Sequence, residues 1–162
     1  MKQIFVLVFM LNAYSSLAQF KWANPNEVPK QWILLNRDSL GYLIYDPCDG
    51  STPYINIDSG FVSIYSQLEG PDKFAINQFT IGSDKKSFYV HATNEGSTLD
   101  LNAKVVDSKR KLVLWSFNCD KKGNHCERWV TTASEFLREF RIVRNPCDSE
   151  KIAEKVFLPV EF

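Results

Sequence analysis

The chain has 162 residues, 44% of them hydrophobic and 23% charged, with 19 basic side chains against 19 acidic ones. A chain of this size buries a core without relying on covalent staples. Its balanced charge, with no long run of one sign, leaves no footprint for nucleic acid or for an anionic membrane surface.

Met1-Lys2-Gln3, the apolar run from Ile4 to Leu11, and small residues at Ser16 and Ala18 make the three regions of a secretory signal. The apolar run falls far short of the roughly 20 residues that span a bilayer. Cleavage is predicted after Ala18, and Gln19 in place of a cysteine offers no lipid attachment point. Residues 19–162 then form one β-rich domain of 144 residues, with 18 basic and 19 acidic side chains and a formal charge of −1. An exported chain, periplasmic or secreted, is the expectation.

Residues 19–30, with Pro25 and Pro29, read as an extended arm. Strands are predicted at 32–35 and 41–45, the second stopped by Asp46-Pro47, with a turn at 36–39 between them. The runs 54–57 and 61–65 flank Asp58-Ser-Gly60, a hairpin signature whose glycine can take positive φ. Further strands are expected at 74–81, at 88–93 and at 99–105. In the last of these Leu99, Leu101, Ala103 and Val105 alternate with polar residues, as in a half-buried antiparallel strand.

The densest apolar β signal is the pair of runs 112–119 and 126–131, which flank the polar hexapeptide Asp120-Lys-Lys-Gly-Asn-His125. Thr132-Ala-Ser-Glu135 has capping-box spacing, and Phe136, Leu137 and Phe140 follow at helical intervals, predicting a short helix over 133–141. Asp148 is placed to cap a further helical turn through Ile152 and Ala153, and residues 156–162 read as an edge strand because of Pro159. The whole predicts a mainly β fold: an antiparallel meander of about eight or nine strands forming a barrel or a sandwich, with a short C-terminal helix.

All four cysteines follow the cleavage site, so two disulfides are expected, with three possible connectivities. Cys119 and Cys126 close one hairpin, and Cys48 and Cys147 sit in matching Pro-Cys-Asp turns, which favours Cys119–Cys126 and Cys48–Cys147. A zinc site from Cys119, Asp120, His125 and Cys126 is the alternative. Zinc prefers two close ligand pairs and only one cluster exists, so no metal and no cofactor are expected.

The chain holds two histidines and no nucleophile elbow, zincin motif or phosphate-cradling glycine loop. Carboxylate pairs such as Glu69 with Asp72 fall in turns. A hydrolase of unfamiliar type would need two convergent carboxylates in a deep pocket, or His91 with an acidic partner. The remaining suggestive feature is aromatic: Trp32, Tyr65, Phe79, Tyr89, Trp115 and Trp129 fall in strands, where such side chains fill cores and also line ligand pockets. Tyr65, Phe79, Tyr89, His91, Trp115 and Trp129 are the ligand-binding candidates, although Trp115 and Phe117 serve equally as core. His91 is assigned to the solvent face beside Tyr89.

A leader, an early strand tryptophan, a meander of strands and a following helix together resemble a lipocalin, a secreted calycin barrel. The resemblance is architectural and covers about residues 31–147. It implies that Trp32 plugs the closed end, that Arg128 is the candidate to cover it, and that a small apolar ligand sits in the mouth. Lys30-Gln-Trp32 lacks the glycine that the family carries before this tryptophan. An outer-membrane barrel, suggested by alternation up to Phe162, is disfavoured because the strands are shorter than about 9–11 residues and Pro159 interrupts the last. The leading expectation is therefore an exported, non-enzymatic protein that binds a small apolar ligand or, alternatively, another protein in the manner of a periplasmic inhibitor, with no membrane insertion.

Overall fold

The structure, a computed structural model, describes residues 21–48, 50–66, 70–119 and 126–145. The predicted leader, Glu69, Asp120, His125, Cys147 and the segments around 148–162 lie outside these residues. The barrel strands are β1 (Gln31–Leu34), β4 (Tyr54–Asp58), β5 (Phe61–Tyr65), β6 (Asp72–Ile81), β7 (Ser87–Asn94), β8 (Ser97–Asp107), β9 (Leu112–Phe117) and β10 (Glu127–Ala133). Strands β4 to β10 form a meander, and β1 closes the wall between β10 and β4, giving an eight-stranded antiparallel barrel. Trp32 stands opposite Ile55 on one side and Ala133 on the other. This closure decides for a barrel over a sandwich.

Strict alternation builds the wall. Phe88, Val90 and Ala92 of β7 and Leu99, Leu101, Ala103 and Val105 of β8 point inward and are buried. The turns match: Gly60 takes φ +90° between β4 and β5, and Glu95 and Gly96 take φ 35° and 93° in a two-residue primed turn between β7 and β8. An eight-stranded barrel leaves room for little more than its own side chains. Here Trp22, Trp32, Phe88 and Trp115 fill the centre, with ring centroids 5.0 Å (Trp22–Phe88), 5.2 Å (Phe88–Trp115) and 5.7 Å (Trp32–Trp115) apart in edge-on contacts. Such pairs contribute about 1 kcal/mol each beyond area burial. The Trp115 indole N–H donates to Thr131 Oγ1 at 2.9 Å, so its polar atom is satisfied inside the barrel.

Ala75 and Val106 excepted, polar residues cover the outward face of β6–β8, and apolar ones the inside. That is the reverse of the apolar-out wall of an outer-membrane barrel. Among the described residues no helix is long and apolar enough to cross a membrane.

A second apolar layer lies outside. β2 (Asn36–Asp38), β3 (Gly41–Asp46) and β11 (Arg141–Arg144) form a small sheet in which β11 runs parallel to β3. Tyr42 and Ile44 of this sheet pack with Ile33, Leu35, Leu112 and Val130 from the outer faces of β1, β9 and β10 and the segment after β1. The sequence read β2 as a turn and ended the predicted helix at 141, leaving the rest of β11 unassigned. Four residues flanked by arginines carry too little alternation to announce a strand, and ion pairs of Arg141 with Asp38 and of Arg144 with Asp46 hold this one in place.

The helix expected over 133–141 is instead a 3-10 helix, η2 (Ser134–Glu139), whose cap residue Ala133 makes no side-chain hydrogen bond. The six residues serve two layers at once, Phe136 facing the barrel core and Leu137 the outer cluster. Thr132, the expected cap, belongs to β10. It is fully buried and its hydroxyl has no hydrogen-bond partner among the described residues. Replacing it with valine, which is nearly isosteric, is expected to stabilise the protein by about 1 kcal/mol. Urea unfolding at unchanged m-value reads this, and a loss of stability would show that the hydroxyl has a partner.

The predicted Cys119–Cys126 disulfide joins β9 to β10, with Cα atoms 4.4 Å apart. Cys48 is also disulfide-bonded, and among the described residues no cysteine is free. Its predicted partner, Cys147, lies outside the described residues.

Candidate functional site

Unequal strand lengths open the wall at one place. β5 has five residues and β6 has ten. Their pairing runs from Ile64 opposite Asp72 to Phe61 opposite Ala75, and the bond from Ile76 N–H to Gly60 O, 2.8 Å, ends it. Beyond that point β6 has, among the described residues, a strand neighbour only in β7. The N-terminal arm lies along the gap, tied by Trp22 N–H to Lys85 O at 2.8 Å. It then turns through a 3-10 helix, η1 (Pro25–Glu27), in which Asn24 Oδ1 accepts from Asn26 N–H at 3.0 Å and Glu27 accepts from Ala23 N–H at 2.7 Å.

A helical turn cannot complete a β ladder, and a cavity of about 470 Å³ remains between η1, the β4–β5 turn and β6. Val28, Ile57, Ile76 and Phe79 form its apolar side, and Lys30 and Asp58 stand at its rim. A bulge at Asn77 shifts the β6 register between Ile76 and Gln78, so that both Ile76 and Phe79 face inward. Lys30 Nζ lies 3.9 Å from Asp58 Oδ1 with both side chains mostly exposed, so this pair contributes little stability and leaves both groups open to a ligand.

The residues predicted to bind a ligand do not converge. Phe79 lines the cavity and stacks on Phe88 at 5.2 Å. Trp115 is sealed in the barrel centre at 0% exposure. Trp129 also faces inward, half-buried against Phe117 at 5.0 Å, with its N–H donated to Glu127 at 2.9 Å. Tyr65 lies on the outer wall, stacked on Tyr54 at 5.3 Å. Tyr89 and His91 are also on the outer wall, the face the alternation assigned to His91. Trp32 is fully buried among the central aromatics. Arg128 does not cover it: it is exposed on β10, opposite Ser116 and five positions before Ala133, the residue that faces Trp32.

The outer wall carries a titratable network. Asp100 Oδ1 accepts from the Tyr89 hydroxyl at 2.5 Å and lies 2.7 Å from His91 Nδ1. Asn118, at φ 44°, fixes the backbone of Asp100 from both sides: its N–H donates to Asp100 O and its side-chain oxygen accepts from Asp100 N–H, each at 2.8 Å. The Tyr89 hydrogen bond, then that of His91, holds the Asp100 carboxyl below its usual 3.8. The same bond, with burial, pushes the Tyr89 phenol above 10.0.

A depressed carboxyl adds stability above its unfolded value, and that stability is lost as pH falls through the lower folded value. Tyr89→Phe is therefore expected to move the Asp100 carboxyl up toward 3.8 and to shrink the acid-side stability loss below that pH. A carbon-detected NMR titration reads the shift, and an unmoved Asp100 would assign the depression to His91. His91 thus has the acidic partner an enzyme would need. The pair stands on the outer wall, with His91 opposite Gln78 in the register.

Sequence reading missed Trp22, Val28, Ile57 and Ile76. The arm's prolines signalled extension, but Trp22 and Val28 bracket a capped turn, and that apolar bracketing was the available sign. Among the described residues no three His, Cys, Asp or Glu side chains are grouped to hold a metal ion. Comparisons with protein-family models, with curated proteins and with solved structures find no match.

Proposed function

We propose that the protein is an exported, non-enzymatic β-barrel binding protein of calycin type that holds a small, largely apolar ligand in the cavity beneath η1. The observation that carries this reading is the cavity itself. At about 470 Å³ it falls in the range that takes a small organic ligand, with four apolar side chains on one side and a charged pair at the rim. The ligand's apolar body lies on Ile57, Ile76 and Phe79, and a polar end reaches Lys30 or Asp58. The filled barrel centre directs the ligand to this flank instead of the axis. Export is supported by the leader pattern together with the disulfides.

Native mass spectrometry of gently purified protein, followed by a thermal-shift screen of lipid and small-molecule extracts, tests the reading. A ligand at about 100 times its dissociation constant adds about 2.7 kcal/mol and raises Tm by several degrees. Ile57→Trp, which fills the cavity, is expected to abolish the shift. No retained ligand and no shift for the native chain would overturn the reading, as would a shift that survives Ile57→Trp. Capture of a stoichiometric protein partner in place of a ligand would favour an inhibitor-type function.

A further inference from the structure

We propose that the outer wall of β6–β8 is a saccharide-binding platform, in which a hexose ring lies on Tyr89 and neighbouring hydroxyls bridge Asp100 and Asn102. This goes beyond the cavity beneath η1 and uses a different surface.

The first observation is the pose of Tyr89. It stands opposite Asn102 in the register, while its hydroxyl is bonded to Asp100, two positions further along β8. A tyrosine tied in this way leans along the sheet instead of standing off it, and so presents a ring face to solvent. The half-buried state of Tyr89 on an otherwise polar wall agrees with that pose.

The second is the set of polar atoms left over. Oδ1 of Asp100 carries both the tyrosine and the histidine bonds. Its Oδ2, the His91 Nε2 and the Asn102 amide have no partner among the described residues. Asp100 and Asn102 alternate on the same face of β8, about 7 Å apart along the strand. A carboxylate oxygen and an amide at that spacing suit a pair of neighbouring ring hydroxyls, one donating and one accepting.

The third is shape. A cavity of about 260 Å³ opens beside Tyr89, with Thr80, Ser87, Asn102 and Lys104 on its walls. It is large enough for an exocyclic group of the sugar.

The chemistry of the wall selects the ligand class. One aromatic face among hydroxyls, amides and a fixed carboxylate matches a molecule that is apolar on its C–H face and hydroxylated at its edge. A protein partner would want a cluster of apolar anchors, whereas Val106 is the large aliphatic side chain exposed on this wall among the described residues. A phosphate would want converging cations, whereas one cation, Lys104, lines the cavity beside Tyr89 and Asp100 repels. Asp100 is pre-positioned by Tyr89, His91 and Asn118, so binding costs little side-chain ordering.

The test is an NMR titration of the isotopically labelled chain, disulfides intact, with methyl glycosides of glucose, galactose, mannose and N-acetylglucosamine and with a linear tetrasaccharide. A single ring on an open wall predicts a dissociation constant on the order of 1 mM. At least one glycoside is expected to shift the amides of residues 78–80, 89–91 and 100–102 saturably. Tyr89→Ala and Asn102→Ala should each weaken binding about tenfold or more, and Tyr89→Phe, which keeps the ring, only a few-fold. Tighter binding of the tetrasaccharide than of its methyl glycoside assigns the platform to a glycan chain, and equal affinity assigns it to a free or terminal sugar. No shift with any of these sugars, or shifts confined to residues around η1, overturns the proposal. Binding unchanged in Asn102→Ala, whose exposed side chain is not needed for folding, does the same.

Discussion

Replacing Trp115 with alanine is expected to cost about 4 kcal/mol, near the upper end for a buried aromatic, and to lower Tm by about 10–15 °C. Three contributions add. The indole is fully buried, so its transfer free energy is lost and a cavity opens where the neighbours cannot collapse. Its edge-on contacts with Trp32 and Phe88 disappear. Thr131 loses the donor on its hydroxyl and keeps only a long bond, 3.4 Å, to Val113 O. Trp129, opposite Trp115 in the register but only half-buried, should cost only about 1–2 kcal/mol on the same change. Denaturant unfolding of both variants measures the contrast. A Trp115→Ala protein within about 1 kcal/mol of the native one would mean a ligand channel, not packed rings, occupies the axis.

Replacing Cys119 and Cys126 together by serine gives the second large effect. The two residues are seven positions apart, and closing so short a loop restricts the unfolded chain by about 2.5 kcal/mol. The loss should appear as a lower midpoint together with a changed m-value, because the unlinked unfolded state exposes more surface. Stability equal to that of the native protein would show that β9 and β10 hold their register unaided. Their ladder already pairs five residues, from Phe117 opposite Glu127 to Val113 opposite Thr131, so native-like spectra are expected for the folded variant.

Most of the barrel was legible in the sequence because seven strands follow one another in a meander, where period-two alternation and turn residues are local signals. Phe61–Tyr65 was read to the residue, and Leu99 to Val105 announced its own inward face. What escaped depends on distance or on mismatch. Closure of the wall needs β1 beside β10, about a hundred residues away, and no local pattern encodes that pairing. The cavity arises because β6 outruns β5 and bulges at Asn77, a difference between two strands and not a property of either. Tyr65, Tyr89 and His91 were grouped with Phe79 and Trp115 by residue type. Alternation with the inward Val62 and Ile64 puts Tyr65 outside, and alternation with Phe88, Val90 and Ala92, already read from the sequence, does the same for Tyr89 and His91.

The wall closed by its first strand has a consequence for how the protein is made. Synthesis delivers β1 early, yet one of its two neighbours is β10, and Ala133 must appear before Trp32 is enclosed. Until then a growing polypeptide holds an open, unsealed ribbon with its tryptophans uncovered. High contact order of this kind delays final assembly to the end of translation. A nascent chain so organised stays threadable until β10 has emerged.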